Sequence, residues 1–596
     1  MKFLKKFIKK YFSSFAYFYM ILRSRLLVVI LLSILIAFLD SIGLTMFLPL
    51  LQMSDSEGGG IDMGNLQFIT DAIQWSGVEL TIPKTLLLLV CVFLLKGFVL
   101  YKANIYKVKT QQILTKSVRM SIVEKFPVFR YNQFVQTDIG KIQNIFLGEV
   151  GRLAATYKNY ISMMQGLVMI VVYMVFSFLI DWQFALMVCA GGILSNLVFN
   201  KINKLTKEKS KDISKVGNQF AGVLIQYIQN FKYLKATGKI LQYGKTIETT
   251  IDNVQHTNLQ MAVLNTKVSS FREPMLVCIV ALVILFQITL FDTKISAILI
   301  SLLIFYRALT SVVMVQSNYN DTLANQGAID NITGFLNEIS LHKEKIGLQT
   351  FTGFNQSIKL DNIVFKYDDT VVLNGITLEI PKNKTVAFVG ESGSGKTTLV
   401  NILTRLLHTN RGSFKIDDQD ISDFNQFTYQ NKIGYISQES VIFNDTIFNN
   451  VTFWDEPSSE NIIKFEEALK KSSIFEFVDS LKHKENTRLG NNGINLSGGQ
   501  RQRISIAREL YKNVEILFLD EATSALDSET ELEIKESIDR LKGKTTIIII
   551  AHRLSTIKNA DVVYLLDKGI IIGEGSFDKL TESSERFKKM VELQEL

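Results

Sequence analysis

Three cysteines and six prolines among 596 residues are few. Cys91, Cys189 and Cys278 are too scattered for a disulfide framework or a zinc site, and each lies in an apolar run, where a cysteine serves as a small buried hydrophobe. So little proline leaves room for long uninterrupted helices. The biases of a disordered or collagenous chain are also missing, since apolar residues make up 47% and charged residues 20%. The basic excess is modest, 65 Lys+Arg against 57 Asp+Glu. Its distribution argues against a nucleic-acid partner, because the basic residues flank apolar runs rather than gather in one patch. The length exceeds what a single hydrophobic core organises, so two or more domains are expected.

What the chain has in quantity is apolar runs. About 20 such residues cross the ~30 Å of bilayer hydrocarbon. Six runs qualify, over 26–51, 85–101, 157–180, 183–202, 274–291 and 295–315. The second is short and carries Lys96; the fourth carries Asn196 and two glycines. A soluble helix would show a charged face, and these runs show almost none. Residues 1–25 hold Lys2, Lys5, Lys6, Lys9, Lys10, Arg23 and Arg25 without an acid, whereas 52–82 holds Asp55, Glu57, Asp62, Asp71 and Glu79 without Lys or Arg. That asymmetry puts the N-terminus in the cytoplasm and the second segment outside. The long basic stretches 102–156 and 203–271 then read as cytoplasmic extensions of the membrane helices, folding back as hairpins. Phe3, Leu4, Phe7, Ile8, Tyr11 and Phe12 recur at helical spacing between lysines, which predicts an interfacial amphipathic helix over 1–20 rather than a cleaved signal. Residues 66–75 have a similar apolar period and predict a short helix on the outer surface. Hydropathy ends near 316. The expected division is a six-helix membrane domain over 21–316, a polar linker over 317–354 and, over 355–596, a soluble α/β domain of alternating β-rich and helical runs.

Gly390, Glu391, Ser392, Gly393, Ser394, Gly395, Lys396 and Thr397 fit the phosphate-loop pattern G-x-x-x-x-G-K-[ST]. The pattern follows an apolar strand over 385–389 and opens a helix at Thr398, so backbone N–H groups and a helix N-terminus point at phosphate. Lys396 is expected on the β/γ-phosphates and Thr397 on Mg²⁺. Ile516, Leu517, Phe518 and Leu519 form an apolar strand ending in Asp520 and Glu521. Carboxylates at the end of a buried parallel strand sit at the ligand crevice. Asp520 is the natural Mg²⁺ partner, and Glu521 the general base for an attacking water. Ser497, Gly498, Gly499 and Gln500 precede a helical run over 501–510 and make a second anion site at a helix N-terminus. Two anion sites in one chain are accounted for economically if the second serves the nucleotide of a partner subunit.

In order and spacing, these three elements resemble the ATP-binding cassette (ABC) transporters. The resemblance implies that Tyr367 stacks on adenine and that Gln438 contacts Mg²⁺ and links to the membrane part. It also implies that Asp527, in Ser524-Ala525-Leu526-Asp527, crosses a dimer interface. His552 would sense the γ-phosphate and hold Glu521 and the water in place. One departure is Asn491, where many family exporters carry an acid. Six spans followed by one cassette match the exporter half-transporter arrangement. That implies an α-helical membrane domain with long cytoplasmic extensions joined to an α/β P-loop NTPase domain. It further implies a homodimer sandwiching two ATP molecules, coupling helices near 131–137 and 226–233, and alternating access driven by ATP hydrolysis. The setting implied is a bacterial inner membrane, with the N-terminus and the cassette cytoplasmic.

Charges inside membrane spans are costly and usually functional. Asp40, Lys96, Arg272 and Arg307 fall inside or at the ends of the expected spans. Arg272 and Lys96 also fit snorkelling at the inner interface, and Asp40 fits pairing with one of the cations. The run Leu44-Thr45-Met46-Phe47-Leu48-Pro49, the outer segment after it and Phe305-Tyr306-Arg307 are similar to flippases of lipid-linked oligosaccharides. The expectation is ATP-driven flipping of a polyprenyl-pyrophosphate-linked oligosaccharide, or a similar anionic lipid, from inner to outer leaflet, with Arg307, Arg272 and Lys96 on its phosphates. The alternative is an exporter of peptides, hydrophobic drugs or lipids, such as a multidrug or lipid A exporter.

Overall fold

The computed structural model describes residues 13–47, 50, 81–180, 182–291, 295–520, 532, 534, 536, 538–551 and 556–595, with only the backbone described over much of 182–201 and 272–305. It divides into two compact units, one of residues 1–129 and 133–342, the other of residues 343–596 with 130–132. The helix expected over 66–75 lies outside the described residues, as do residues 1–12 of the one expected over 1–20; residues 13–20 of it are helical.

The first unit is helical. It comprises α1 (Ser13–Leu22), α2 (Ser24–Thr45), α3 (Ile82–Lys125), α4 (Tyr131–Gln136, from Gln133 on), α5 (Ile139–Asn144), α6 (Val150–Ile180), α7 (Trp182–Gln229), α8 (Phe231–Ala236), α9 (Ile240–Phe291) and α10 (Ile295–Leu341). Arg23, at φ 49°, turns α1 into α2. Pro83 stands in the first turn of α3, where a missing N–H costs nothing. Among the described residues, Ser24–Thr45, Ile82–Val128, Ile139–Leu179 and Ile240–Phe286 are long and apolar enough to span a bilayer. The runs over 183–202 and 295–315 lie in the continuous helices α7 and α10. At 52 residues, α9 extends roughly 78 Å, more than twice the hydrocarbon thickness. Its polar half therefore stands outside the membrane.

The segment read as a linker from residue 317 is helical as far as Leu341. Loss of hydropathy marks where the bilayer ends, not where the helix does. Nothing from 317 to 341 breaks a helix, and Ile332, Phe335 and Ile339 are buried there. They share a core with Phe18, Leu114, Ile122 and Tyr157. Beside it Arg152, on α6, donates to Glu149 (3.1 Å), Ser214 (2.7 Å), Ser210 Oγ (3.1 Å) and the Ala324 carbonyl (3.2 Å), tying α6, α7 and α10 together. At Gly140 a Cβ would lie 2.2 Å from the Gly222 nitrogen, so α5 and α7 meet backbone to backbone.

In the second unit, β1 (Ser357–Tyr367), β2 (Thr370–Pro381), β4 (Arg411–Ile416) and β5 (Gln419–Asp420) form an antiparallel sheet in the order β2-β1-β4-β5. The strands β3 (Thr385–Val389), β6 (Ile433–Ile436), β7 (Ile516–Asp520), β8 (Thr546–Ile550), β9 (Val562–Asp567) and β10 (Ile570–Gly575) form the other, ordered β10-β9-β3-β8-β7-β6. It is parallel except for β10 at its edge. Every residue of β3 and β8 is buried, as expected of strands covered on both faces. The α-helices bounded among the described residues are α11 (Lys396–Leu403), α12 (Gln426–Gln430), α13 (Ile447–Thr452), α14 (Ser459–Lys471), α15 (Phe475–Ser480), α16 (Gly498–Tyr511), α17 (Phe577–Ser583) and α18 (Glu585–Glu595). Of these, α13 to α16 share a core of their own around Phe448, Phe465, Val478 and Ile504.

Candidate functional site

The phosphate loop joins β3 to α11 at the carboxyl edge of the parallel sheet. Gly393 (φ 82°) and Gly395 (φ 103°) take left-handed conformations that a side chain resists. A Cβ at Gly390 would lie 2.2 Å from the Leu566 carbonyl oxygen, and one at Gly395 2.6 Å from Leu373. The loop is thus pressed onto its neighbours, where only glycine fits. Lys396 is buried, and its ammonium donates to the loop's own carbonyls at Gly390 (2.7 Å) and Glu391 (2.9 Å). Ser394 Oγ is buried inside the loop without a hydrogen-bond partner among the described residues. A buried cation, an unsatisfied hydroxyl and a glycine-rich turn at a helix N-terminus fit a polyphosphate. Thr397 and Thr398 follow in the first turn of α11, Thr397 exposed, while Ser392 and Gly393 are exposed on the loop.

Strand register brings the other chemistry to this edge. Phe388 pairs with Ile550, and Ile550 with Asp520. The ends of β3, β8 and β7 therefore align, immediately before the phosphate loop, His552 and Glu521. Glu521, Asp527 and His552 themselves lie outside the described residues. Asp520 closes β7 and accepts a hydrogen bond from Tyr435 Oη (3.0 Å). Burial pushes the Tyr435 phenol up, and the Asp520 charge pushes it the same way, so Tyr435 stays a donor and fixes the carboxylate. Gln438 is exposed just beyond β6. Tyr367 ends β1 on the surface, 40% exposed, edge-on to Phe365 at 4.8 Å. Burial raises its phenol pKa, partly offset by the Thr398 hydroxyl in the first turn of α11.

Ser497 caps α16. Its hydroxyl accepts from the Gln500 N–H (3.2 Å), and Gln500 Oε1 accepts from the Ser497 N–H (2.9 Å). This capping box holds the helix N-terminus open, with Ser497 and Gly498 exposed. Gln500 thus shapes, through the backbone, the helix end where the sequence leads one to expect an anion. Asn491 accepts from Asn444 (2.9 Å), a neutral contact at the position where the resemblance leads one to expect an acid. Sequence reading passed over Arg508. It is buried on α16 and donates to the carbonyls of Asn450 (2.6 Å) and Val441 (2.8 Å), bracing the segment after Gln438. With Arg501, Arg503 and Glu509 on the same helix, nothing in the sequence set Arg508 apart.

In the membrane unit, Asp40 is buried on α2, where it pairs with Lys96 of α3 and accepts from the Tyr173 hydroxyl of α6. Ala308 packs with Leu44 and Tyr173, and the adjacent Arg307 is exposed within electrostatic reach of Tyr173. Of the four membrane charges, Asp40, Lys96 and Arg307 share one layer. The Arg272 side chain lies outside the described residues. Of the expected coupling segments, the first contains α4; the second covers the end of α7, a turn at Asn230 and the start of α8.

Residues 373–524 match the family described as ABC transporter, and residues 26–317 its transmembrane region. The chain is 32% identical over 499 residues to the heterocyst differentiation ATP-binding protein HepA of Nostoc sp. (strain PCC 7120 / SAG 25.82 / UTEX 2576), covering 83% of this chain and 81% of that protein. It is 30% identical over 516 residues, 85% of each chain, to an ATP-dependent lipid A-core flippase of Syntrophus aciditrophicus (strain SB). Its fold is similar to that of a bacterial Atm1-family ABC exporter with ATP bound, at a TM-score of 0.79 and 22% identity over 96% of this chain and 98% of that one. With the phosphate loop built as described, these matches show that the chain belongs to the ABC transporters, its membrane region and its ATP-hydrolysing domain fused in one polypeptide.

Proposed function

We propose that the protein is a homodimeric flippase of phosphate-bearing glycolipids, moving them from the inner to the outer leaflet of a bacterial inner membrane. The observation that carries this reading is Arg307. It is exposed on α10 in the same layer as Asp40, Lys96 and Tyr173. Lys96 already shares its charge with Asp40, which leaves the Arg307 guanidinium as the leading donor for a phosphate or pyrophosphate headgroup. Lys96 and Arg272 are proposed as its auxiliaries. The polyprenyl-pyrophosphate-linked oligosaccharide is favoured by the membrane motifs. A lipid A-type substrate is favoured by the relatives named lipid A-core flippase. Both present phosphate on a glycan-bearing lipid.

The test is ATP-dependent translocation in proteoliposomes loaded in turn with a pyrophosphate-linked oligosaccharide lipid, lipid A and a hydrophobic cationic dye. Arg307→Ala is expected to slow flipping of the phosphate-bearing lipid about tenfold, the scale of losing one bidentate charge-assisted contact. Transport of the dye alone, or undiminished lipid flipping in Arg307→Ala, would overturn the reading.

On the cytoplasmic side, each nucleotide is proposed to lie between Lys396 of one protomer and Ser497 of the partner subunit. Mg²⁺, when bound, supplies charge neutralisation on the phosphates, and Thr397, Gln438 and Asp520 are the residues proposed to hold it. Tyr435 keeps the Asp520 carboxylate oriented. Tyr367 is proposed to cover adenine and Asp527 to line the dimer interface. Glu521 takes the proton of the attacking water, and His552 holds that pair in place. Glu521→Gln is therefore expected to keep ATP binding, accumulate the closed dimer and lose turnover by about 10²–10⁴-fold. Phosphate release and nucleotide retention check this together; hydrolysis at the native rate would remove Glu521 from the role of base.

A further inference from the structure

The phosphate loop carries an acid, Glu391, although its ligand is a polyanion. A carboxylate there repels triphosphate unless something holds it aside. The structure supplies a holder from the far end of the chain. Arg586, in the first turn of α18, donates to Glu391 Oε1 (3.0 Å) and forks onto both oxygens of Asp567, one of them at 2.9 Å. Asp567 ends β9, and the turn that follows it, Lys568-Gly569, underlies the loop. The Gly569 N–H donates to the Ser394 carbonyl (3.1 Å), and Gly390 abuts the Leu566 carbonyl. The helix that presents Arg586 is itself anchored. The next residue, Phe587, is fully buried, edge-on to Phe577 at 5.3 Å, in the core that also contains Val389 of β3.

We infer that Arg586 is a positioning residue for ATP binding, drawing the Glu391 carboxylate toward Asp567 and away from the phosphates. A lone surface ion pair is worth little. This one is a forked guanidinium between two carboxylates, seated on a helix whose neighbouring side chain is in the core, so its geometry is set before nucleotide arrives. The two partners act in one place. Asp567 fixes the guanidinium, and the guanidinium's remaining N–H group takes up Glu391.

The experiment measures KM for ATP and kcat with the full-length protein in lipid nanodiscs, for Arg586→Ala, Glu391→Gln and the double variant. Arg586→Ala is expected to raise KM about three- to fivefold, the scale of one such pair, with kcat altered less than twofold. Adding Glu391→Gln is expected to bring KM back to within twofold of the parent, because no carboxylate remains to be held. An unchanged KM in Arg586→Ala, or a raised KM that Glu391→Gln fails to restore, would show that Arg586 only supports α18 and would overturn the inference. Should Arg586→Ala not accumulate as folded protein, Arg586→Gln in the same comparison gives the same two readings.

Discussion

Replacing Lys396 with alanine is expected to lower ATP turnover by about 10²-fold or more, the scale of removing a charge-stabilising donor from a preorganised site. The ammonium is buried within the loop and anchored on two of its carbonyls. No other cation is seen inside the loop among the described residues. The change acts twice. It removes the positive charge meant for the β/γ-phosphates, and it leaves the Gly390 and Glu391 carbonyls without this donor, at about 1–3 kcal/mol each if they stay buried. Weakened binding of a fluorescent ATP analogue together with a modest drop in cassette stability is the expected pattern. Turnover at the parent rate would mean that the loop does not hold the reacting phosphates.

The second large effect is expected in the membrane unit. Asp40→Ala leaves Lys96 charged in the bundle, with the face of Phe93, 5.2 Å away, as its remaining contact among the described residues, and strips the Tyr173 hydroxyl of its acceptor. Breaking a buried pair on one side costs about 3–5 kcal/mol, whereas replacing both partners with apolar residues of similar size is close to neutral. Thermal unfolding in detergent should therefore show a large loss for Asp40→Ala and recovery when Lys96→Met is added. If the two single changes and the double change destabilise equally, the pair does not act as a unit.

The cassette was largely legible in the sequence because its chemistry is local. Glycine, lysine and threonine stand within one loop, and a strand announces its own terminal acids. Four of the six expected membrane runs fall in helices that qualify as spans among the described residues, and they were legible for a similar reason, since hydropathy is a property of consecutive residues. What escaped depends on packing between distant segments. Asp40 and Lys96 are 56 positions apart, and Glu391 and Arg586 are 195 apart; no local pattern links them. The pairing of Asp40 was one of two readings, and the structure names Lys96 as its partner. Gln500 was read as part of an expected anion site; what the structure adds is its reciprocal bonds with Ser497, geometry that composition does not carry. The continuation of α10 to Leu341 was hidden because polar residues end a hydropathy signal without ending a helix.

That continuity matters for motion. A helix of 44 residues such as α3, with its one proline confined to the first turn, is a stiff rod of roughly 66 Å. Swinging such a rod by about five degrees about one end carries the other some 6 Å. In the proposed transport it would work as a lever: an angular change too small to break a turn becomes a gap on the scale of a lipid headgroup. A hinge midway along it would swallow that stroke, so a helix-breaking insertion near Asn104 should uncouple nucleotide consumption from cargo movement even with every residue of the phosphate loop in place.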